Sequence, residues 1–215
     1  MGPPSSPPTR LSRDAPPDPA AREGWVATLR RQVLPVLSWV LVALVLRAAV
    51  VEPRWIPSGS MLPTLELQDR VLVEKLRPRL QRSLAIGTVV VFRPPQALLD
   101  AGYDPNAALI KRVVAGPGDV VEVREGVLWR NGQPTQRDWA AEPMSYSFGP
   151  VTVPAGDLLV LGDNRNASLD SHLWGPLPQA NVLGTAIWRY WPPAHFGPIG
   201  SDGGRTVPDA IRELG

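Results

Sequence analysis

The sequence predicts an all-β domain preceded by one transmembrane α-helix. Three observations predict it. After residue 52 the chain runs in short apolar or period-two stretches set off by turn signals; before it stands a 19-residue apolar run. The 26 prolines and 19 glycines make up about a fifth of the 215 residues, too many breakers for a helical bundle.

Residues 1–24 hold seven prolines, several serines and mixed charges with no apolar period, and read as disordered; the tail extends to residue 32. Val33 to Val51 (VLPVLSWVLVALVLRAAVV) carries one charge, Arg47. Nineteen helical residues span roughly 28 Å, close to the hydrocarbon thickness of a bilayer. Pro35 is expected in the first turn, where its missing N–H does little harm. Arg22, Arg30 and Arg31 precede the span, which favours a cytoplasmic N-terminus and an exported remainder.

The strands expected next are Asp69–Glu74, Thr88–Phe92, Leu109–Val114, Val120–Arg124, Val127–Arg130, Asp157–Leu161 and Gly184–Tyr190. Glu125-Gly126 reads as a hairpin turn and Asn131-Gly132 as another. Residues 93–108 read as a loop. The segment from 52 to 191 is the expected domain, with a smaller second subdomain at about 120–157. Residues 192–215 read as a Pro/Gly-rich tail in which Val207–Leu214 is at most a short helix.

Composition narrows the chemistry. Net charge is +2, too small for a nucleic-acid footprint. Cysteine is absent, which excludes a thiol nucleophile, a disulfide framework and cysteine metal sites. With only His172 and His195, a multi-histidine metal site is nearly excluded as well, and no metal or cofactor is expected. Lys75 and Lys111 are the only lysines among 22 cations. Arginine stays protonated, so only these two can supply a neutral amine.

Three segments can hold a site. Ile56-Pro-Ser-Gly-Ser-Met-Leu-Pro-Thr-Leu65 flanks Ser60 with proline and glycine, a stiff turn able to present a hydroxyl and its own N–H, or a polar loop. Lys111 lies in an apolar strand where alternation places it with Leu109 and Val113. In a central strand its pKa falls; on an edge strand it points to water. Leu161 to Gly175 is a polar loop in which Asp163, Arg165, Asp170 and His172 are able to form an ion-pair network. A Ser–His–Asp triad would need Ser60 with His172 and Asp163 or Asp170. The Gly-x-Ser-x-Gly elbow and the Ser-x-x-Lys motif are both missing.

Together these segments resemble the type I signal peptidases, the membrane-bound serine proteases that remove signal peptides from exported proteins. The resemblance covers about residues 34–191. It rests on Pro57-Ser-Gly-Ser-Met-Leu-Pro-Thr-Leu65, Asp69 to Lys75, Gly87 to Phe92, Ile110 to Asp119, and Gly162-Asp-Asn-Arg165 through Ser168, Asp170-Ser171 and Trp174-Gly175, in that order behind a membrane anchor. It implies a catalytic domain of coiled antiparallel sheets and a Ser–Lys dyad: Ser60 as nucleophile, Lys111 as general base. The Ser58 hydroxyl and Ser60 N–H are implied as the oxyanion hole. Ser168 is implied to orient the lysine, with Asp170 and Arg112 in a supporting ion-pair shell. Ile56, Pro57, Met61, Leu65, Val71, Leu109 and Ile110 match positions lining the pockets for small residues before the cut. Lys75 then reads as a surface charge.

His172 stands where the family often has arginine, and a histidine is only partly charged near neutrality. The resemblance implies preprotein signal peptides and the lipid bilayer as partners, and no nucleic acid. It places the enzyme as a single-pass protein of a bacterial plasma membrane or a thylakoid membrane. Trp55, Trp188 and Trp191 are either interfacial anchors or core. A self-cleaving repressor is the first rival, but a membrane span stands where its DNA-binding domain would be. A non-enzymatic anchored β-domain is the second, and it has no reason to combine Ser60, Lys111 and Ser168.

Overall fold

The computed structural model describes residues 2, 19–80, 83–135, 137–140, 142–200 and 205–206. The disorder expected of the first residues bears mostly on positions outside this set, as does the short helix expected at Val207–Leu214. The chain divides into two units, Met1–Val45 and Leu46–Gly215.

Helix α1 runs Pro19–Ala49. It begins inside the expected structureless tail, where Pro19 suits a first helical position and Ala20-Ala21-Arg22-Glu23 are good helix formers. Pro35 therefore lies in the helix interior rather than in its first turn. The helix stops short of Val51, which opens a strand instead of closing a membrane span. From Val33 to Val45 its large apolar side chains are exposed. Among the described residues, no helix is long and apolar enough to cross a membrane.

The second unit is all-β. Its strands are β1 Val51–Trp55, β2 Arg70–Glu74, β3 Val89–Phe92, β4 Leu109–Ala115, β5 Val120–Arg124, β6 Val127–Arg130, β7 Gln133–Pro134, β8 Arg137–Asp138, β9 Phe148–Thr152, β10 Asp157–Leu161, β11 Leu177–Pro178, β12 Val182–Trp191, β13 Gly197–Pro198 and β14 Arg205–Thr206. Short helices α2 Leu76–Arg79, α3 Gln96–Asp100 and α4 Ser171–Trp174 interrupt them, α3 falling in the expected 93–108 loop. All pairings are antiparallel. The main sheet runs β1-β2-β12-β3-β4-β10-β11, with β13 added to β12; a four-stranded sheet runs β7-β6-β5-β9, and β14 pairs β8.

Turn chemistry sets the registers. Glu125 and Gly126 have φ of 52° and 77°, and Asn131 and Gly132 of 54° and 76°. Two successive positive φ values make the tight turns that match strand twist. Burial then places β3 and β4 in the middle of the main sheet: β3 is wholly buried and β4 is buried from Ile110 onward. The four-stranded sheet has no core of its own. Val121, Val123 and Leu128 share one apolar cluster with Val114 and Ala115 of β4 and Leu159 and Leu161 of β10.

The segment after residue 191 is more than a tail. Trp188 pairs Pro198 and Arg189 pairs Gly197, and Ile199 packs against the cluster of Ile56, Met61, Leu65 and Val71. Of Trp55, Trp188 and Trp191, the first and last are exposed, and Trp188 is half-buried with its ring edge-on to Phe196 at 5.4 Å.

Candidate active site

Ser60 sits on a loop whose ends are stitched together. Strands β1 and β2 pair from Val51↔Glu74 to Trp55↔Arg70, and Ile56 N donates to Asp69 O at 2.9 Å. The loop between carries a single 3₁₀ turn, Gly59–Met61. Met61 and Leu65 are fully buried on either side of the turn's exit, and Leu65 N donates to Met61 O at 3.0 Å. A second clip comes from the 161–175 loop. Asn164 N donates to Ser60 O and Asn164 Nδ2 to Gly59 O, both at 3.1 Å.

Lys111 comes to this turn from β4. That strand lies between β3 and β10, so Lys111 is central rather than at an edge, and it is only 4 % exposed. Its Nζ is 2.8 Å from Ser60 Oγ. Burial lowers its pKa from 10.5 to about 8, and the negative charges of Asp170 and then Asp163 pull it partly back up. At pH 7 about a tenth of it is neutral. Ser58 Oγ is 3.3 Å from Ser60 Oγ and belongs to an exposed residue, so it faces the open side of the turn.

Among the described residues, two charge pairs stand beside the dyad, Arg112–Asp163 and Asp170–His172. Arg112 and Asp163 are both fully buried and bond twice, Nε to Oδ1 at 2.8 Å and Nη2 to Oδ2 at 2.7 Å. Arg112 Nη1 donates to Gly87 O at 2.6 Å and Gly200 O at 3.2 Å, and the guanidinium carbon lies 4.6 Å from the centre of the Trp139 ring. Asp170 bonds His172 Nδ1 at 2.7 Å, accepts Gly162 N at 2.9 Å and caps α4 through His172 N. His172 stacks on Tyr146 with ring centres 4.1 Å apart. Arg165, also expected among the ion pairs, donates from Nε to Gly162 O at 3.0 Å.

Several expectations need correction. Ser168 Oγ is buried without a hydrogen-bond partner among the described residues, so the bond by which it would orient Lys111 is not made. It lies against Gly162, whose Cα faces both Ser168 and the Ser60 carbonyl with no room for a Cβ. Ile56, Met61, Leu65, Val71 and Ile110 form one buried cluster, and Pro57 is exposed beside them. Leu109 does not join them: adjacent residues on a strand face opposite ways, and it packs with Val90, Phe92 and Val113. Lys75 is no surface charge either; its side chain is 14 % exposed and 3.3 Å from Glu52. The triad finds no geometry. Among the described residues, the hydrogen-bonding partners of Ser60 Oγ are Lys111 and Ser58, while His172 is engaged by Asp170 and Tyr146.

Asn164, expected to satisfy backbone groups, does so at Gly59 O, whereas Gly162 and Thr64 stood inside motifs without assigned work. The composition of the Gly-Asp-Asn-Arg loop was a signal for Asn164, since asparagine bonds loop backbone readily. The partnering of Arg112 with Asp163 had no local signal.

Comparison with known proteins gives the same direction. Residues 29–191 match the family described as signal peptidase, peptidase S26. The chain is 48% identical over 172 residues to the probable signal peptidase I-1 of a Synechocystis species, covering 80% of this chain and 87% of that protein. It is 45% identical over 161 residues to signal peptidase I of Leptolyngbya laminosa, covering 75% and 79%. It is 48% identical over 158 residues to the chloroplastic thylakoidal processing peptidase 1 of Arabidopsis thaliana, covering 72% of this chain and 46% of that longer protein.

Proposed function

The chain belongs to the signal peptidase family, peptidase S26, and is a serine protease; from that premise we propose that it removes signal peptides from exported preproteins through a Ser60–Lys111 dyad and an acyl-enzyme. The observation that carries this reading is the 2.8 Å approach of Lys111 Nζ to Ser60 Oγ with both residues buried.

Neutral Lys111 takes the Ser60 proton as Oγ attacks the scissile carbonyl. The oxyanion is met by the Ser60 N–H and by the Ser58 hydroxyl, which turns from Ser60 Oγ to the substrate; such preorganised donors contribute about 3–4 kcal/mol each. Protonated Lys111 then gives the proton to the leaving amine, and water repeats the cycle on the acyl-enzyme. The apolar cluster of Ile56, Met61, Leu65, Val71 and Ile110 lies around the turn and favours small, apolar residues before the cut. Arg112–Asp163 and Asp170–His172 hold the loops on either side of the dyad.

The chain is anchored by the 33–51 region, with the N-terminus cytoplasmic and the catalytic domain on the outer face of a plasma or thylakoid membrane. The exposed large apolar side chains of α1 from Val33 to Val45 support this, since an uncovered apolar stretch of helix belongs in a core or in lipid. Two experiments test the reading. Full-length protein in detergent is to cleave a preprotein at its signal sequence and lose that cleavage as Ser60→Ala. In membranes the chain is to resist alkaline extraction. An active Ser60→Ala overturns the nucleophile; an extractable chain overturns the anchor.

A further inference from the structure

The loop that carries Ser60 is held at Thr64 by two arginines that come from different strands. Arg112 of β4 donates from Nη2 to Thr64 Oγ1 at 3.3 Å. Arg189 of β12 donates from Nη1 to Thr64 O at 3.1 Å. Each arginine is fixed by a buried carboxylate. Arg112 has Asp163; the same Arg189 nitrogen is 2.9 Å from Asp69 Oδ2, and Asp69 is 1 % exposed. Asp69 Oδ2 also accepts the Glu66 N–H at 2.9 Å, so the carboxylate ties the loop's return path to the same guanidinium. Arg189 Nε donates to His195 O at 2.6 Å, which fixes the plane of the fork.

Packing on the cavity side of Thr64 is incomplete. A cavity of about 300 Å³ lies on this side of the loop, lined by Pro63, Thr64, Arg112, Trp139, Arg189 and Ile199 among others. On that side the polar contacts at Thr64 add to the hold that buried Met61 and Leu65 give the loop. A planar guanidinium presents donors in a fixed fork, whereas an ammonium is a point charge on a flexible stem.

We propose that Arg189 is a positioning residue for the reaction: by bridging the Thr64 carbonyl to buried Asp69 and the His195 carbonyl, it holds the Ser60 turn at bonding distance from Lys111. This rests on the Ser60–Lys111 reading. It acts through the loop and touches neither dyad side chain.

The test uses full-length protein in detergent, a preprotein substrate, and kcat and KM measured separately for Arg189→Gln, Arg189→Lys and Lys111→Met. A loosened nucleophile lowers kcat and leaves substrate binding alone. Arg189→Gln is expected to lose roughly 10- to 100-fold in kcat with KM within about twofold, since small misplacements cost about that much. Arg189→Lys, which keeps the charge beside Asp69 but not the fork, is expected to recover part of the loss; if Arg189→Gln does not fold, the Lys variant decides alone. A kcat at the wild-type value, or a fall in rate that only follows the folded fraction seen by circular dichroism, overturns the proposal. An active Lys111→Met overturns the dyad and this proposal together; a dead Lys111→Met beside an undiminished Arg189→Gln overturns the brace alone.

Discussion

Lys111 Nζ lies 2.8 Å from Ser60 Oγ across 51 residues of sequence, and the lysine is buried in the middle of the main sheet. The sheet supplies the base in a desolvated place; the β1–β2 loop brings the hydroxyl to it. Burial is what frees the amine, because it penalises the charged form.

The rate therefore rises with pH as Lys111 loses its proton. The kcat/KM profile for preprotein cleavage is expected to show an ascending limb centred near pH 8, where the lysine titrates. A profile flat between about pH 6 and 9, or a limb that vanishes in His172→Ala, contradicts the assignment.

Asp170 is the largest charge holding that pKa up. Asp170→Asn keeps an acceptor for Gly162 N and removes the negative charge. The ascending limb is expected to move to lower pH in this variant; a limb moving upward would reverse the sign of the interaction.

Lys111 also costs stability. Its folded pKa is about 8 against 10.5 unfolded, so between these values the unfolded chain binds more protons and stability rises with pH. Below pH 8 the full cost, about 3 kcal/mol, is present. Denaturation of wild type and Lys111→Met at pH 7 and near pH 10.5 measures it. The variant's advantage is expected to shrink by about that amount at the higher pH. An unchanged difference would mean the lysine is not desolvated.

The Arg112–Asp163 pair is both buried and bidentate. Asp163→Ala leaves a buried guanidinium without its carboxylate, and is expected to cost about 3–5 kcal/mol in chemical denaturation. A loss below about 1 kcal/mol would show that water reaches Arg112.

Much of the domain was legible because its strands are short apolar runs between turn residues. Glu125-Gly126 and Asn131-Gly132 announce their turns with the residue types that accept positive φ. Strand β1 was not legible: Glu52, Pro53 and Arg54 break its apolar pattern, and it survives because it is an edge strand, where a missing N–H does little harm. The helix began earlier than expected because proline-rich composition hid a run of good helix formers at Ala20–Glu23.

At the site, alternation flagged Lys111 but could not say whether its strand was central or at an edge; only the sheet order decides that. Residue types suggested ion pairing in the 161–175 loop but not who pairs with whom; the fold sends Arg112 to Asp163 and Asp170 to His172. Partner choice over such separations is set by topology. The same holds for Thr64, an ordinary loop threonine until two arginines from separate strands meet on it.

The central claim is that Lys111, not His172, serves as the base for Ser60. Its most direct test is kcat/KM for preprotein cleavage in wild type, Lys111→Met and His172→Ala, measured side by side at pH 8. The account predicts a loss of roughly 10⁴-fold in Lys111→Met, the scale of disabling a nucleophile–base pair, and about 10-fold or less in His172→Ala. Activity that survives Lys111→Met and disappears in His172→Ala would contradict it.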